Sequence, residues 1–316
     1  MSDVAVVGAG AWGPALAIQA ARAGRSVVLW ARDPARFSRG ETPRLPGFFL
    51  PDAVRVTGDL PTAGLVLLAV PLQHMRGVAA LLPPGGPVVV CAKGVEAHSR
   101  RLPLEILAEV LPGRPAAVLT GPNFAHEVAA GLPAAAVAAA VAAPVREAVA
   151  AALGTPSFRI YGNDDPVGAQ VGGAAKNVVA IAAGAVIGAG LGENARAALV
   201  TRGLAELARL AVALGGRAET VAGLSGLGDL MLTCTGASSR NFSLGFALGR
   251  GERLDEVLGR REAVTEGVAT APALVARAAA VGAELPVCAA VAGVVTGGLT
   301  LPEAICCLLS RPRKDE

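Results

Sequence analysis

The chain has 316 residues, of which 17% are charged and 3% aromatic, with a formal net charge of +3. So small a charge, with no basic stripe interleaved with aromatics, excludes a nucleic-acid partner. The length suits about two domains with a sizeable core. Five cysteines (Cys91, Cys234, Cys288, Cys306, Cys307) form no C-x-x-C pair, and there are only three histidines. No metal site is therefore expected, and the odd cysteine count fits free thiols in a reducing, cytoplasmic compartment. The opening MSDVAVVGAG has neither the basic segment nor the long apolar run of a secretory signal. The longest apolar stretches, near 132–143 and 178–192, fall short of the roughly 20 residues that span a bilayer, so no membrane span is expected.

Short β-branched runs at residues 4–7, 27–30, 54–56, 65–70, 88–92 and 117–120 read as strands. They are nearly continuous in apolar character, as parallel strands covered on both faces are. Helical patterns lie between several of them, at 12–23 and 104–111 for example. That alternation is the signature of a doubly wound α/β sheet. Residues 134–141 and 158–161 can add strands at its far side. After about Gly172 no convincing strand appears. Val200, Leu204, Leu207, Ala211 and Leu214 fall on one helical stripe, which Gly215 and Gly216 stop. Thr300 and Glu303 form a capping box ahead of another helix. The expected architecture is thus α/β: a Rossmann-like doubly wound domain over 1–172, then an all-helical substrate and catalytic domain over 173–316. The charged tail, 311–316, is expected to be solvated and frayed.

Gly8-Ala9-Gly10-Ala11-Trp12-Gly13 follows the first strand and opens a helix. This is the dinucleotide fingerprint in its required context. Gly8 makes the tight turn, Gly10 admits a pyrophosphate to the backbone, and Gly13 lets helix and strand pack closely. The helix start at Ala11 and Trp12 supplies N–H donors and a positive dipole end. The second strand runs into Arg32 where an NAD site would want a carboxylate. An arginine there can pair with a 2′-phosphate, which favours NADP(H) and leaves NAD(H) open. Three further turns, at Val70-Pro71, Lys93-Gly94 and Gly121-Pro122-Asn123, close strands at the edge where ligands of open parallel sheets bind.

In the helical half, Lys176 is the lone charge in the apolar stretch 171–186. Lysine is almost never buried unpaired, and stripping water from its ammonium is costly. The bland reading is a lysine that snorkels to water. The functional reading is an acid/base at the junction of the two domains, its pKa lowered by apolar surroundings. Asp229 lies in a Gly-rich apolar stretch before Ser238-Ser239-Arg240-Asn241. The Asp can cap a helix and the polar cluster can be a turn. In a functional reading Arg240 needs an anion, and a phosphate suits its planar fork.

These motifs together resemble the bacterial NAD(P)-dependent glycerol-3-phosphate dehydrogenase family along nearly the whole chain. The segments that carry the likeness are GAGAWGPALA, VLLAVP, AKGVE, TGPNFAHEVAAGLPAA, GGAAKNVVAIAAG, NARAALVTRGLAE, GLSGLGDLMLTCTGASSRN and VTEGV. The resemblance implies reduction of dihydroxyacetone phosphate to sn-glycerol 3-phosphate for phospholipid synthesis. It implies Lys176 as the catalytic acid/base, and substrate contacts from Lys93, Gly121, Asn123, Lys176, Asp229, Ser239, Arg240 and Asn241. It implies cofactor contacts from Trp12, Arg32, Lys93, Ala125, Arg240, Val264 and Glu266, with Asn177 and Thr233 as helpers. Three positions depart from the family pattern. Pro14 stands for a usual Thr or Ser, Asn123 for a small hydroxyl residue, and Ile187 near a usual Asp.

In that reading Lys176 donates a proton as charge builds on the substrate carbonyl oxygen. Lys93 orients the carbonyl, Arg240 and Asn241 hold the phosphate, and Asp229 orients a hydroxyl or a lysine. The competing readings are a β-hydroxyacid dehydrogenase and a non-catalytic NADP(H) sensor. The apolar helical half would suit a homodimer.

Overall fold

The computed structural model describes residues 2–37, 40–236, 238–261 and 264–312. Its contacts group into two compact units. One comprises Met1–Lys93 with Arg101–Gln170, and the other Gly94–Arg100 with Val171–Glu316. Residues 313–316 of the charged tail lie outside the described residues.

The first unit is built on one sheet. Its strands are β1 (Ser2–Val7), β2 (Val27–Trp30), β3 (Val54–Thr57), β4 (Ala63–Leu68), β5 (Val88–Val90), β6 (Ala116–Thr120), β7 (Ala134–Ala139) and β8 (Phe158–Asn163). Their order is β3-β2-β1-β4-β5-β6-β7-β8. The first six follow the doubly wound order, which reverses between β1 and β4. All neighbours pair parallel except β6 and β7. The two strands expected at the far side are there. β4 and β5 stop at Leu68 and Val90, earlier than the apolar runs suggested, because Ala69–Pro71 and Cys91–Lys93 belong to the turns beyond the sheet edge.

Helices α1 (Trp12–Arg22), α2 (Leu72–Ala79), α3 (Pro103–Val110), α4 (Ala125–Ala130) and α5 (Ala143–Leu153) accompany the sheet. The central strands are largely apolar because both faces are covered: Val4–Val7, Leu67, Leu68 and Val88–Val90 are all buried, whereas the edge strands β3 and β8 carry polar, exposed residues. With aromatics scarce, the core is made of Val, Leu and Ala, with Leu16 of α1 and Leu153 of α5 packed against Leu29, Leu67, Leu119 and Phe158.

The second unit is helical, with no strand among its described residues. It holds α6 (Pro166–Gly188, which starts in the first unit), α7 (Gly192–Ala213), α8 (Ala218–Ala222), α9 (Asp229–Thr235), α10 (Arg240–Gly249), α11 (Leu254–Gly259), α12 (Glu266–Ala279), α13 (Pro286–Val295) and α14 (Leu301–Leu309). The capping box of α14 forms as expected, with Thr300 Oγ1 accepting the Glu303 N–H.

Two expectations need correction here. The apolar stretch around Lys176 is a single helix of 23 residues, long enough by length and composition to cross a membrane. Reading the run from 178 onward missed its length, because the helix continues back through Lys176 to Pro166. Its most apolar window is 89% buried inside the protein, so its surface meets protein. The stripe of α7 is also rotated. Gly203, Glu206, Leu207, Leu210 and Ala211 are buried, while Val200 and Leu204 are half-exposed. Gly203 turns inward because a Cβ there would lie 2.7 Å from Val179 Cγ1 of α6. Glu206 turns inward to accept the Val287 and Cys288 N–H groups that open α13, at 2.6 and 3.2 Å. A carboxylate at a helix N-terminus satisfies its orphan donors and its dipole.

α6 and α10 meet backbone to backbone. A Cβ on Gly184 would lie 2.0 Å from Phe242 O, one on Gly188 2.2 Å from Phe246 O, and one on Gly245 1.8 Å from Ile181 O. Glycine on both helices is what allows this approach, and it fixes α10 against the helix that carries Lys176.

Candidate active site

In the first unit the chemistry collects at the carboxyl edge of the sheet. Gly8 has φ +121° and donates its N–H to Trp30 O at 3.2 Å. A Cβ on it would lie 2.8 Å from the backbone of Ala69, in the turn after β4. A Cβ on Gly13 would lie 1.8 Å from Gly8 O, whereas one on Gly10 would meet nothing within 4 Å. Two of the three glycines are thus closed by protein, and the middle one faces open space. No side chain caps the N-terminus of α1, where Ala11 stands at the N-cap. This combination fits a dinucleotide pyrophosphate: backbone that can be approached, beside uncapped N–H donors, at the switch point of the sheet. Trp12 packs its ring on the core. Arg32 is exposed just past β2.

The turns after β5 and β6 are tied together. Lys93 Nζ donates to Gly121 O at 3.1 Å. Gly121 has φ +124°, which a side chain would strain. Asn123 Nδ2 donates to Ala135 O at 3.1 Å, while its Oδ1 is buried without a partner. Thr120 Oγ1, at the end of β6, is likewise buried without one. Thr120 closes an apolar strand and carries no sequence signal that would single it out. Ala125 opens α4 and is half-buried.

In the second unit Lys176 is not alone. It is 9% exposed and donates from Nζ to Asp229 Oδ1 at 2.6 Å and to Thr233 Oγ1 at 2.9 Å. The Thr233 hydroxyl donates its own proton to Asp229 O at 2.6 Å, so toward the ammonium it can only accept. Asp229 is buried, 1% exposed. A π-helical turn, Leu224–Gly228, delivers it to the start of α9. Of the readings open for Asp229, the structure shows the one in which it orients a lysine. The snorkelling reading of Lys176 is corrected: its head is paired inside the protein. Cys234, also on α9, is no competing nucleophile, because burial pushes its thiol up to about 12.

Ser239 caps α10, accepting the Phe242 N–H at 3.2 Å. Arg240 is exposed and donates to Val264 O at 2.8 Å, which brings it to the segment that leads into Glu266 and α12. Arg261 donates to Arg240 O at 2.7 Å and to Ser243 Oγ at 3.0 Å. Burial and the Arg240 and Arg260 charges hold its guanidinium below the ordinary value. Nothing in the sequence separates Arg261 from other surface arginines. Asn241 and Asn177 are buried and bonded to each other, with Asn241 Nδ2 donating at 2.8 Å. Ile187, near the end of α6, is half-buried.

Two family models match this chain, described as the N-terminus and the C-terminus of NAD-dependent glycerol-3-phosphate dehydrogenase, over residues 3–145 and 165–306. A relative from Acidiphilium cryptum (strain JF-5), glycerol-3-phosphate dehydrogenase (NAD(P)+), is 57% identical over 99% of this chain and 98% of its own. The chain belongs to the NAD-dependent glycerol-3-phosphate dehydrogenase family. The enzyme of the same name from Gluconobacter oxydans (strain 621H) is 52% identical over 98% of this chain and 97% of its own. Among solved structures, the glycerol-3-phosphate dehydrogenase of Coxiella burnetii matches with a TM-score of 0.93 at 36% identity, covering 98% of this chain and 99% of that one. The Rossmann-type sheet and helical second half are therefore the fold of this dehydrogenase family.

Proposed function

We propose that the chain catalyses the reversible reduction of dihydroxyacetone phosphate to sn-glycerol 3-phosphate with NADPH, and with NADH as a second reductant. The observation that carries the reading is the buried ammonium of Lys176, in the middle of the largely apolar helix α6, paired with the buried Asp229 of α9. Desolvating two charges costs more than a well-packed apolar pair would, so such a pair is weak support for a purely structural role.

When bound, the reduced nicotinamide supplies the hydride that goes to C2 of the substrate. Lys176 donates its proton to the carbonyl oxygen as the C=O electron pair moves onto that oxygen, and in reverse the amine takes the hydroxyl proton. Asp229 and Thr233 hold the ammonium at a fixed place, so the proton donor is oriented before the reaction starts. Gly8, Gly10, Ala11, Trp12 and Gly13 would hold the pyrophosphate on backbone N–H groups, and Arg32 the 2′-phosphate. Arg240 offers a fork-shaped partner for phosphate. The roles of Lys93, Gly121, Asn123 and Ser239 toward substrate, and of Ala125, Val264 and Glu266 toward cofactor, belong to the same proposal, as does the homodimer.

The test is NADPH oxidation by the purified chain with dihydroxyacetone phosphate, repeated with NADH and with unphosphorylated dihydroxyacetone. Oxidation that needs the phosphate supports the reading. Equal rates with both ketones, or none with either, would overturn it.

A further inference from the structure

Arg261 is half-buried and reaches from the chain ahead of α12 to the first turn of α10. Its Nη1 donates to Arg240 O at 2.7 Å and to Thr265 Oγ1 at 3.4 Å, and its Nη2 donates to Ser243 Oγ at 3.0 Å. The Ser243 hydroxyl in turn donates to Arg240 O at 3.2 Å. The directions are fixed by chemistry. A guanidinium can only donate and a carbonyl can only accept, so the serine accepts from one and donates to the other. Arg261, Ser243 and the Arg240 carbonyl therefore close a ring of hydrogen bonds around the backbone that carries the Arg240 side chain.

The grip is returned. Arg240 Nη1 donates to Val264 O at 2.8 Å, three residues beyond Arg261. That bond uses one of the five N–H donors of Arg240, and the side chain is exposed, so its fork stays open to an anion. Crossed arginines thus tie the first turn of α10 to the start of α12. The first carries proposed substrate contacts and the second proposed cofactor contacts, while Arg261 is counted among neither. A neutral amide could tie the two segments without setting a second cation beside Arg240. Burial and the Arg240 charge both act against the Arg261 cation. A bound phosphate offsets that repulsion, so a charged strut at this place suits a turn that presents an anion site.

We propose that Arg261 is a positioning residue for Arg240: its two-nitrogen grip on Arg240 O and Ser243 Oγ sets the guanidinium of Arg240 where the substrate phosphate is held. This rests on the dehydrogenase reading above.

The experiment is steady-state kinetics of the full chain with Arg261→Ala, Arg240→Ala, both changes together, and Arg261→Lys, each with a thermal melt. Arg261→Ala is expected to raise KM for dihydroxyacetone phosphate by about tenfold, the scale of one weakened charge-assisted bond. Its kcat stays within about threefold, because a phosphate grip serves ground state and transition state alike. In the Arg240→Ala background the same change lowers kcat/KM by no more than about twofold, since the group it places is gone. Arg261→Lys keeps the charge but has no planar fork to span the two acceptors, so its KM stays near the alanine value. If alanine at 261 unfolds the chain, Ser243→Ala carries the test. It removes one link of the ring, so KM must rise, and that rise must vanish in the Arg240→Ala background.

A tenfold loss that repeats undiminished in the Arg240→Ala background would overturn the proposal, since it marks a contact of Arg261 with the ligand itself. Full recovery by Arg261→Lys would overturn it in favour of charge alone. A lower melting temperature with KM unchanged would overturn it in favour of a purely structural tie. A wild type without turnover overturns the dehydrogenase reading and this role with it. An active wild type in which Arg261→Ala keeps its KM overturns this role alone.

Discussion

The Lys176 ammonium lies 2.6 Å from Asp229 Oδ1, its partner 53 residues further along the chain. Both are buried, and Thr233 Oγ1 completes the clasp at 2.9 Å. Removing one member of such a pair leaves the other charge uncompensated. Asp229→Ala is expected to destabilise the helical unit by about 3–5 kcal/mol. Asp229→Asn, which can still accept from the ammonium, should cost less stability yet lower kcat by about 100-fold, the lower range for a disturbed acid/base group. Denaturant unfolding and steady-state kinetics on the two variants check this. An Asp229→Ala protein with wild-type stability would count against the pair.

The fingerprint glycines separate folding from binding. Gly13→Ala places a Cβ 1.8 Å from Gly8 O, so the sheet unit should fail to fold or lose much of its stability. Gly10→Ala meets no protein atom within 4 Å and should fold normally. If the open side of Gly10 takes the pyrophosphate, NADPH affinity falls by about tenfold or more, equivalent to about 1.4 kcal/mol. Thermal melts with NADPH titrations distinguish the two. Unchanged affinity in Gly10→Ala would place the cofactor elsewhere.

Much of this was legible in the sequence, for physical reasons. Strands buried on both faces show continuous apolar runs, so β2 and β6 were readable almost to the residue, whereas β1 starts two residues earlier, at the polar Ser2 and Asp3. The glycines at 8, 10 and 13 were readable because a strand, a turn and a helix start surround them. A lysine in an apolar stretch signals a cost that something must offset, so Lys176 stood out. What offsets it did not. Asp229 becomes its partner only through the tertiary approach of α9 to α6, and no local pattern encodes that distance. Asn241 was read as a phosphate ligand beside Arg240, and no local pattern showed that its amide also bonds Asn177 and Gly267. The inward rotation of α7 was equally hidden, because a glycine and a glutamate, Gly203 and Glu206, lead its buried face.

The glycine contact between α6 and α10 makes a sharp prediction. Gly245→Ala drives a Cβ to 1.8 Å from Ile181 O, so the helices must separate. Overpacking usually costs about 1–3 kcal/mol, and a clash with backbone belongs at or above the upper end. Gly190→Ala, with open space around it but φ +74°, should cost only about 1 kcal/mol from backbone strain. Comparable losses in the two would contradict the close approach.

Glu206 gives a pH dependence. Burial raises its carboxyl above the ordinary value, against the Val287 and Cys288 N–H bonds that favour the charged form. A group that holds its proton more tightly folded than unfolded contributes stability at low pH. That contribution is lost as pH rises from the unfolded value, near 4.5, through the folded one. Glu206→Gln removes this titration. Its stability relative to wild type should therefore improve between pH 5 and pH 7.5, although it loses one acceptor for the α13 N-terminus. Melting temperatures of both proteins across that range test the sign; a gap that widens with pH would contradict it.

The most direct measurement is the kinetics of Lys176→Met, a side chain of similar length without the ammonium. Dihydroxyacetone phosphate reduction is followed through NADPH absorbance, with NADPH affinity measured alongside. Lys176 as the proton donor requires kcat to fall by about 10³-fold while NADPH affinity is kept. Turnover within about tenfold of wild type would contradict a catalytic lysine and leave the buried pair with Asp229 as a structural feature.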